Sequence, residues 1–353
     1  MYAGLIVYAS LYPFEDWRYQ GIVPWAFLTS PLPKYWTGFD VITNALGYGP
    51  LGFLLALGVL RSGVTRFALL VATLMAALLS LALESLQGFL PVRVPSNVDL
   101  ALNVFGAWLG GLLAWVLERQ GVLTHWSVFR ARWFVADARG GLVLLALWPL
   151  ALLFPASVPF GVGQVLERLE ATLAEALVGT PFLAWLPVRV VEFEPLVSGV
   201  ELACVTLGLV IPGLIAFCIT RGPARRAGLM VLVLALGVGA TALSAALSYG
   251  PTHAWVWLSL TSQVAVGLAL GLMIAVVWVP TRACAALALL ALGVYVGLIN
   301  QIPTSPYFAQ TLSGWEQGRF IRFHGLAQWL GWLWPYVALV YVLTRVGRSK
   351  SKN

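Results

Sequence analysis

The chain has 353 residues, 60% of them hydrophobic and 10% charged, with a mean hydropathy of +0.88. Soluble proteins carry about 25% charged residues, so this composition excludes a soluble globular or disordered chain and leaves a polytopic membrane protein. The formal net charge of +7 does not point to nucleic acid, because no basic run is interleaved with exposed aromatics; the positive residues read as loop charges that fix orientation in a bilayer.

A spanning helix needs about 20 mainly apolar residues. Apolar runs and the breakers between them predict about ten spans, near residues 1–14, 42–60, 65–87, 99–117, 141–158, 197–219, 227–248, 254–279, 283–300 and 326–345. The fold class is therefore all-α, a polytopic transmembrane helix bundle. An even number of spans puts both termini on one side. If that side is the cytoplasm, 14 of the 21 lysines and arginines fall inside, and Arg18, Lys34, Arg93, Arg168, Arg189, Arg319 and Arg322 fall outside. Acidic residues run the other way, with only Glu118 and Asp137 of 14 inside.

The apolar start, Tyr2 to Tyr12, lacks a basic n-region and a small-residue cleavage site, so no cleavable signal is expected. It is short for a span; either residues 13–17 complete it at the interface or further sequence lies upstream. Glu15 to Asp40 carries Trp17, Trp25, Tyr35 and Trp36, which suits an interfacial loop or short helix, or a lid over the polar residues that follow. In FDVITNALGYGPLGFLL, Asp40 and Asn44 stand four apart, and Gly47, Gly49 and Gly52 thin the wall for close helix approach.

The organising stretch is Glu84 to Gly110, a polar hinge between two apolar runs. Glu84 and Gln87 share a face at the end of one helix; Asp99 and Asn103 share one at the start of the next. Pro91 and Pro95 keep the connection from being helical, which lets the chain reverse with Arg93 between the two faces. An isolated carboxylate costs about 2.5 to 3.5 kcal/mol at a helix centre in the bilayer and less near the interface. The expectation is a mutually satisfied, outward-facing cluster of Asp40, Asn44, Glu84, Gln87, Arg93, Asp99 and Asn103. Gly106 and Gly110 form a GxxxG pair whose default meaning is helix packing.

Three domains are expected: 1–118, a basic cytoplasmic linker at 119–140 that contains His125, and a second transmembrane half at 141–353. Within that half, GQVLERLEATLAEAL at 163–177 reads as an amphipathic surface helix, and Glu192 and Glu194 read as solvated. Spans six to eight resemble a faded copy of spans two to four at an offset of about 161 residues, with Gly267 and Gly271 answering Gly106 and Gly110. Both copies would enter from the same side, as two parallel pseudo-repeats. In the last outer loop, Glu316, Arg319 and Arg322 at spacing three form either a solvated helix face or a surface for an anionic lipid headgroup, with Trp315, Phe320, Phe323 and His324 beside them.

No GxxxxGK[ST], GxSxG, HExxH or CxxC occurs, so no nucleotide loop, serine elbow or zinc site is indicated. Cys204, Cys218 and Cys284 lie in apolar spans as structural thiols. No metal and no cofactor is expected. What remains is the carboxylate set, which suits a clamp between spans two, three and four, general acid–base chemistry, headgroup binding or proton movement.

The pattern FDVITNALGYGPLGFLL, then ESLQ, then PVRVPSNVDLALNVFGAWLG, resembles the VanZ-like family of bacterial membrane proteins over about residues 1–118. The residues that carry the resemblance are Asp40, Asn44, Pro50, Gly52, Glu84, Gln87, Arg93, Ser96, Asp99, Asn103 and Gly106. The resemblance implies a bacterial inner (cytoplasmic) membrane protein of the cell envelope, in a family named for an association with resistance to the glycopeptide teicoplanin. It implies no known reaction, and it does not extend to the second half. Three readings follow. The first is an envelope protein whose polar pocket binds membrane lipids or lipid-linked envelope precursors. The second is a membrane-embedded enzyme with Glu84 or Asp99 as base and Arg93 holding an anion. The third is a transporter or flippase. No nucleic acid is expected as a partner, and the residues identify no protein partner.

Overall fold

Long runs of leucine, alanine and valine without internal charge favour helices whose backbone polar groups are satisfied within each segment, as lipid demands. In a computed structural model of the chain, residues 2–12, 14–32, 38–186, 198–302 and 321–347 are described; the side chains of 39, 40, 123, 167, 168, 171, 198 and 321–326 lie outside that description. Among the described residues there are twelve α-helices and no strand, so the chain is an all-α bundle. Seven helices are long and apolar enough to cross a membrane, and three shorter apolar ones, Tyr2–Leu11, Arg139–Ala151 and Leu260–Val276, occupy the other expected spans. Lys34, Tyr35, Trp36, Arg189, Glu192, Glu194 and the expected charged face at Glu316, Arg319 and Arg322 lie outside the described residues.

Contacts divide the chain into two units, Met1–Phe129 and Arg130–Asn353. The first contains α1 (Tyr2–Leu11), α2 (Gly38–Arg61), α3 (Ala68–Gln87) and α4 (Asn97–Arg119). α2 packs most extensively on α4, α3 packs on both, and α1 lies against α3 and α2. Small residues set this geometry. The face that α3 buries reads Ala68, Ala72, Ala76, Ser80 and Glu84, one residue every fourth position. Between α2 and α4 the backbones nearly touch: an added Cβ at Gly106 would collide with the Ala45 carbonyl, and one at Gly110 with the Gly49 carbonyl.

α5 (Val122–Trp133) runs across the boundary between the units. The second unit is built from α6 (Arg139–Ala151), α7 (Leu166–Ala176), α8 (Ser198–Ile219), α9 (Pro223–Tyr249), α10 (Leu260–Val276), α11 (Thr281–Ile299) and α12 (Ile321–Gly347). α8 is its central helix and is mostly buried, with α6, α9, α10 and α11 packed around it. Cys204, Cys218 and Cys284 are buried in this core as free thiols. At one end of the unit, arginines hold the loops by their carbonyls: Arg226 donates to Val277 and Val279, Arg225 to Arg132, and Arg345 to both the carbonyl and the carboxylate of Asp137.

Two expected spans are shorter as helices than the sequence suggests. α10 begins at Leu260, because Ser259 caps it and the preceding residues form turns and a 3-10 helix at Pro251–His253. α6 stops at Ala151, and residues 152–165 continue as buried but irregular chain, since Pro155 and Pro159 cannot donate to a helix. Side chains supply the missing partners. Tyr295 Oη accepts from the Val162 amide at 2.7 Å and donates to the Phe160 carbonyl at 3.3 Å. Asn300 Oδ1 accepts from the amides of Val165 and Leu166, each at 3.0 Å, and its Nδ2 donates to the Gly163 carbonyl at 3.1 Å. Asn300→Ala strands the half-buried amides of Val165 and Leu166, while Tyr336 still donates to the Gly163 carbonyl, and is expected to cost about 1 to 3 kcal/mol, read as a lowered melting temperature of the purified protein.

Candidate functional site

The polar residues of the first unit gather where α3 ends and α4 begins. Ser96 caps α4, its Oγ accepting from the amides of Val98 at 3.2 Å and Asp99 at 3.4 Å. In an ordinary capping box the acid three residues on would return to the amide of the cap. Here Glu84, from α3, takes that amide instead: its Oε2 accepts from Ser96 N at 2.9 Å. Asp99 is thereby released to accept from Asn44 Nδ2 of α2 at 2.8 Å. One turn further along α4, Asn103 Nδ2 donates to Ser80 Oγ of α3 at 3.0 Å. Both carboxylates stand at the positive end of the α4 dipole, which offsets part of their mutual repulsion.

Glu84 is 4% exposed and Asn103 5%; Asn44 and Asp99 are half-buried. Asp99 and Arg93 lie within electrostatic range of the Glu84 carboxylate, and Tyr48 reaches Ser80 beside it. The set is incompletely satisfied from within. Glu84 Oε1 takes no bond from any described residue, and Asn103 Oδ1 is buried without a partner. No group of three or more His, Cys, Asp or Glu suited to a metal occurs among the described residues.

Gln87 and Arg93 do something different from what their spacing suggests. Gln87 Nε2 donates to the Ser10 carbonyl at 3.1 Å. Arg93 donates to the carbonyl of Ala9 at 3.2 Å and twice to that of Tyr12, at 3.2 and 2.8 Å. These are the last carbonyls of α1, which a cation satisfies well. Arg93 therefore anchors α1 as well as lying near the acids, and the neighbouring Val92 and Val94 point outward, 65% and 84% exposed. The segment 14–32 is tied to the same region. Arg18 N donates to the Phe89 carbonyl, Gln20 to that of Gly88, and Asn97 to that of Ser30. Its Trp17 and Trp25 remain largely exposed, which suits an interface between apolar and polar surroundings. Asp40 lies in the first turn of α2, with its side chain outside the described residues.

The order of these polar positions along the chain, on helices packed as described, is what a family comparison can recognise. Residues 2–118 match the VanZ/LLP1 family model. The match covers α1 to α4 of the first unit, hereafter the VanZ-like unit, and does not extend into the second unit. No curated protein and no solved structure matches the chain. Together with the seven apolar helices, the match makes this a membrane protein with a VanZ-like N-terminal third.

Two members of the cluster, Ser80 and Tyr48, were not expected from the sequence. Ser80 lies four before Glu84 and so on its face, and Tyr48 four after Asn44; Ser96, already part of the family resemblance, opens an S-x-x-D start. The four-residue spacing that pairs the other members also covers Ser80 and Tyr48, but a hydroxyl inside an apolar run carries no charge to mark it.

Proposed function

We propose that the VanZ-like unit binds a lipid or lipid-linked headgroup that donates hydrogen bonds, on the outer side of the bacterial inner membrane, with both termini cytoplasmic. The observation that carries this reading is Asn103 Oδ1, a buried acceptor left without a partner. A clamp that existed only to join helices would satisfy its own atoms, because an unpaired buried acceptor costs about 1 to 3 kcal/mol. Donor groups of an ammonium or hydroxyl headgroup supply what this acceptor lacks. The outward placement rests on the excess of basic residues in the opposite loops, and the exposed Trp17, Trp25, Val92 and Val94 supply an apolar rim at headgroup depth.

The test uses the full chain in nanodiscs of long-chain phosphatidylcholine, titrated with dihexanoyl phosphatidylethanolamine or with dihexanoyl phosphatidylcholine, which lacks an ammonium donor. Saturable binding of the ethanolamine lipid is expected, roughly tenfold weaker for the choline lipid and weakened at least about tenfold by Glu84→Gln. Equal binding of the two lipids, or a Glu84→Gln variant that binds as the wild type does, overturns the reading.

A further inference from the structure

The second unit holds a cavity of about 590 Å³ at the end of the unit where α6 stops, α8 and α10 begin and α9 ends. That volume lies in the range of about 300 to 1,000 Å³ typical of small-molecule sites. Its wall includes the irregular segment 154–161. Irregular backbone at membrane depth is tolerated only where protein buries it or where it lines a cavity. Here it is also strained: Phe160, a bulky residue, has φ of 57°, in the left-handed region. The strain is held by Tyr295 and by the absence of a side chain at Gly208, where a Cβ would come within 2.8 Å of the Phe160 carbonyl.

Three side chains give the cavity its chemistry. Glu201 is the sole carboxylate on the apolar helices α6 and α8 to α12 of this unit. It lines the cavity and takes no bond from any described residue. Its position in the first turn of α8 suits the helix dipole, but the dipole does not require it to face a cavity. Thr241 of α9 is only 8% exposed and lines the same space, with Oγ1 unpartnered. Trp257 closes the wall edge-on to Phe160, with ring centroids 5.4 Å apart, and its Nε1 is buried and unpartnered.

These groups narrow the ligand. No lysine or arginine lines the cavity among the described residues, and its one basic side chain, His253, is engaged with the Thr252 hydroxyl at 3.0 Å, so a phosphate or carboxylate would find no permanent counter-charge and would meet Glu201. An ammonium would satisfy Glu201 but offers no acceptor to the Trp257 N–H and the Thr241 hydroxyl. A hydroxyl both donates and accepts, and Tyr249 and Trp257 offer flat apolar faces for a ring's C–H surface. We propose that this cavity binds an uncharged, hydroxyl-rich saccharide group, as a second site independent of the VanZ-like unit.

The full chain in phosphatidylcholine nanodiscs is titrated calorimetrically with methyl β-D-glucopyranoside, dihexanoyl glucosylglycerol and the anionic dihexanoyl phosphatidylglycerol. At least one sugar probe binds saturably, and the anionic lipid binds at least about tenfold more weakly. Binding of the free glycoside identifies a soluble saccharide as source; binding of the glucosyl lipid alone identifies a lipid headgroup. Glu201→Gln, which keeps the side-chain shape, weakens sugar binding at least about tenfold with an unchanged melting temperature, whereas Glu84→Gln leaves it unaltered. If Glu201→Gln is misfolded, Trp257→Phe, which keeps a ring and removes the N–H, makes the same comparison and is expected to show the same loss. Binding of neither sugar, equal binding of the anionic lipid, or wild-type affinity in the folded variant overturns the proposal. Because Glu84→Gln reads only the VanZ-like unit, failure of one site is separable from failure of the other.

Discussion

Gly110→Leu is expected to cost about 3 kcal/mol or more, lowering the melting temperature of the purified protein by roughly 10 °C. The reason is backbone against backbone. A Cβ at position 110 would already overlap the Gly49 carbonyl of α2, and one at 106 or 52 would strike the backbone of the facing helix likewise. Helices in lipid associate through van der Waals packing rather than through release of water, so separating α2 from α4 forfeits the term that joins them. The Asn44–Asp99 bond crosses the same seam and would lengthen with it. Gly267→Leu is the matched control. An added Cβ there meets nothing within 4 Å, so its effect is expected to stay within about 0.5 kcal/mol. Equal melting of the two variants would show that the α2–α4 seam carries no special weight.

Arg93→Ala is expected to release α1 from its unit. Three hydrogen bonds from one guanidinium end on the carbonyls of Ala9 and Tyr12, and bonds from a charged donor contribute about 1.5 to 3 kcal/mol each in favourable cases. α1 is only ten residues long, too short to hold its helix alone, so the loss falls on this element rather than on the whole bundle. Hydrogen exchange should speed by at least about a hundredfold at the amides near the end of α1 and change little on α3. Arg93→Lys is expected to recover part of the protection, because a point charge cannot span two carbonyls as a planar fork does. Unchanged exchange at the end of α1 in Arg93→Ala would remove the anchoring role.

Hydropathy made the helices legible, since a run of leucine and alanine in lipid has one satisfactory backbone arrangement. Where it misled, proline and serine explain the difference: the fifth apolar run breaks before Pro155, and the eighth starts late behind the Ser259 cap. Pairs within one helix were also readable, because Glu84 and Asp99 must project from the faces that their spacing assigns. Their partners were less so. The bond from Glu84 to the Ser96 amide joins a side chain to a backbone group every residue possesses, and no pattern of letters marks such a target. The same holds for Arg93, whose bonds end on carbonyls. Glu201 is the sole charge in its span, and only the irregular chain packed over α8 gives that carboxylate a space to face. The matched glycine pairs look alike in sequence, but Gly110 touches a neighbouring backbone and Gly271 touches nothing.

The three native thiols sit at 0%, 5% and 0% exposure for Cys204, Cys218 and Cys284. A membrane-impermeant maleimide therefore meets a chemically silent protein, and wild-type sequence can serve as the blank for site-directed labelling. One cysteine introduced at Ser30 and another at Ser62, both at exposed positions, would each report the compartment it occupies in intact cells. The sidedness of every loop in the VanZ-like unit follows from those two reactions.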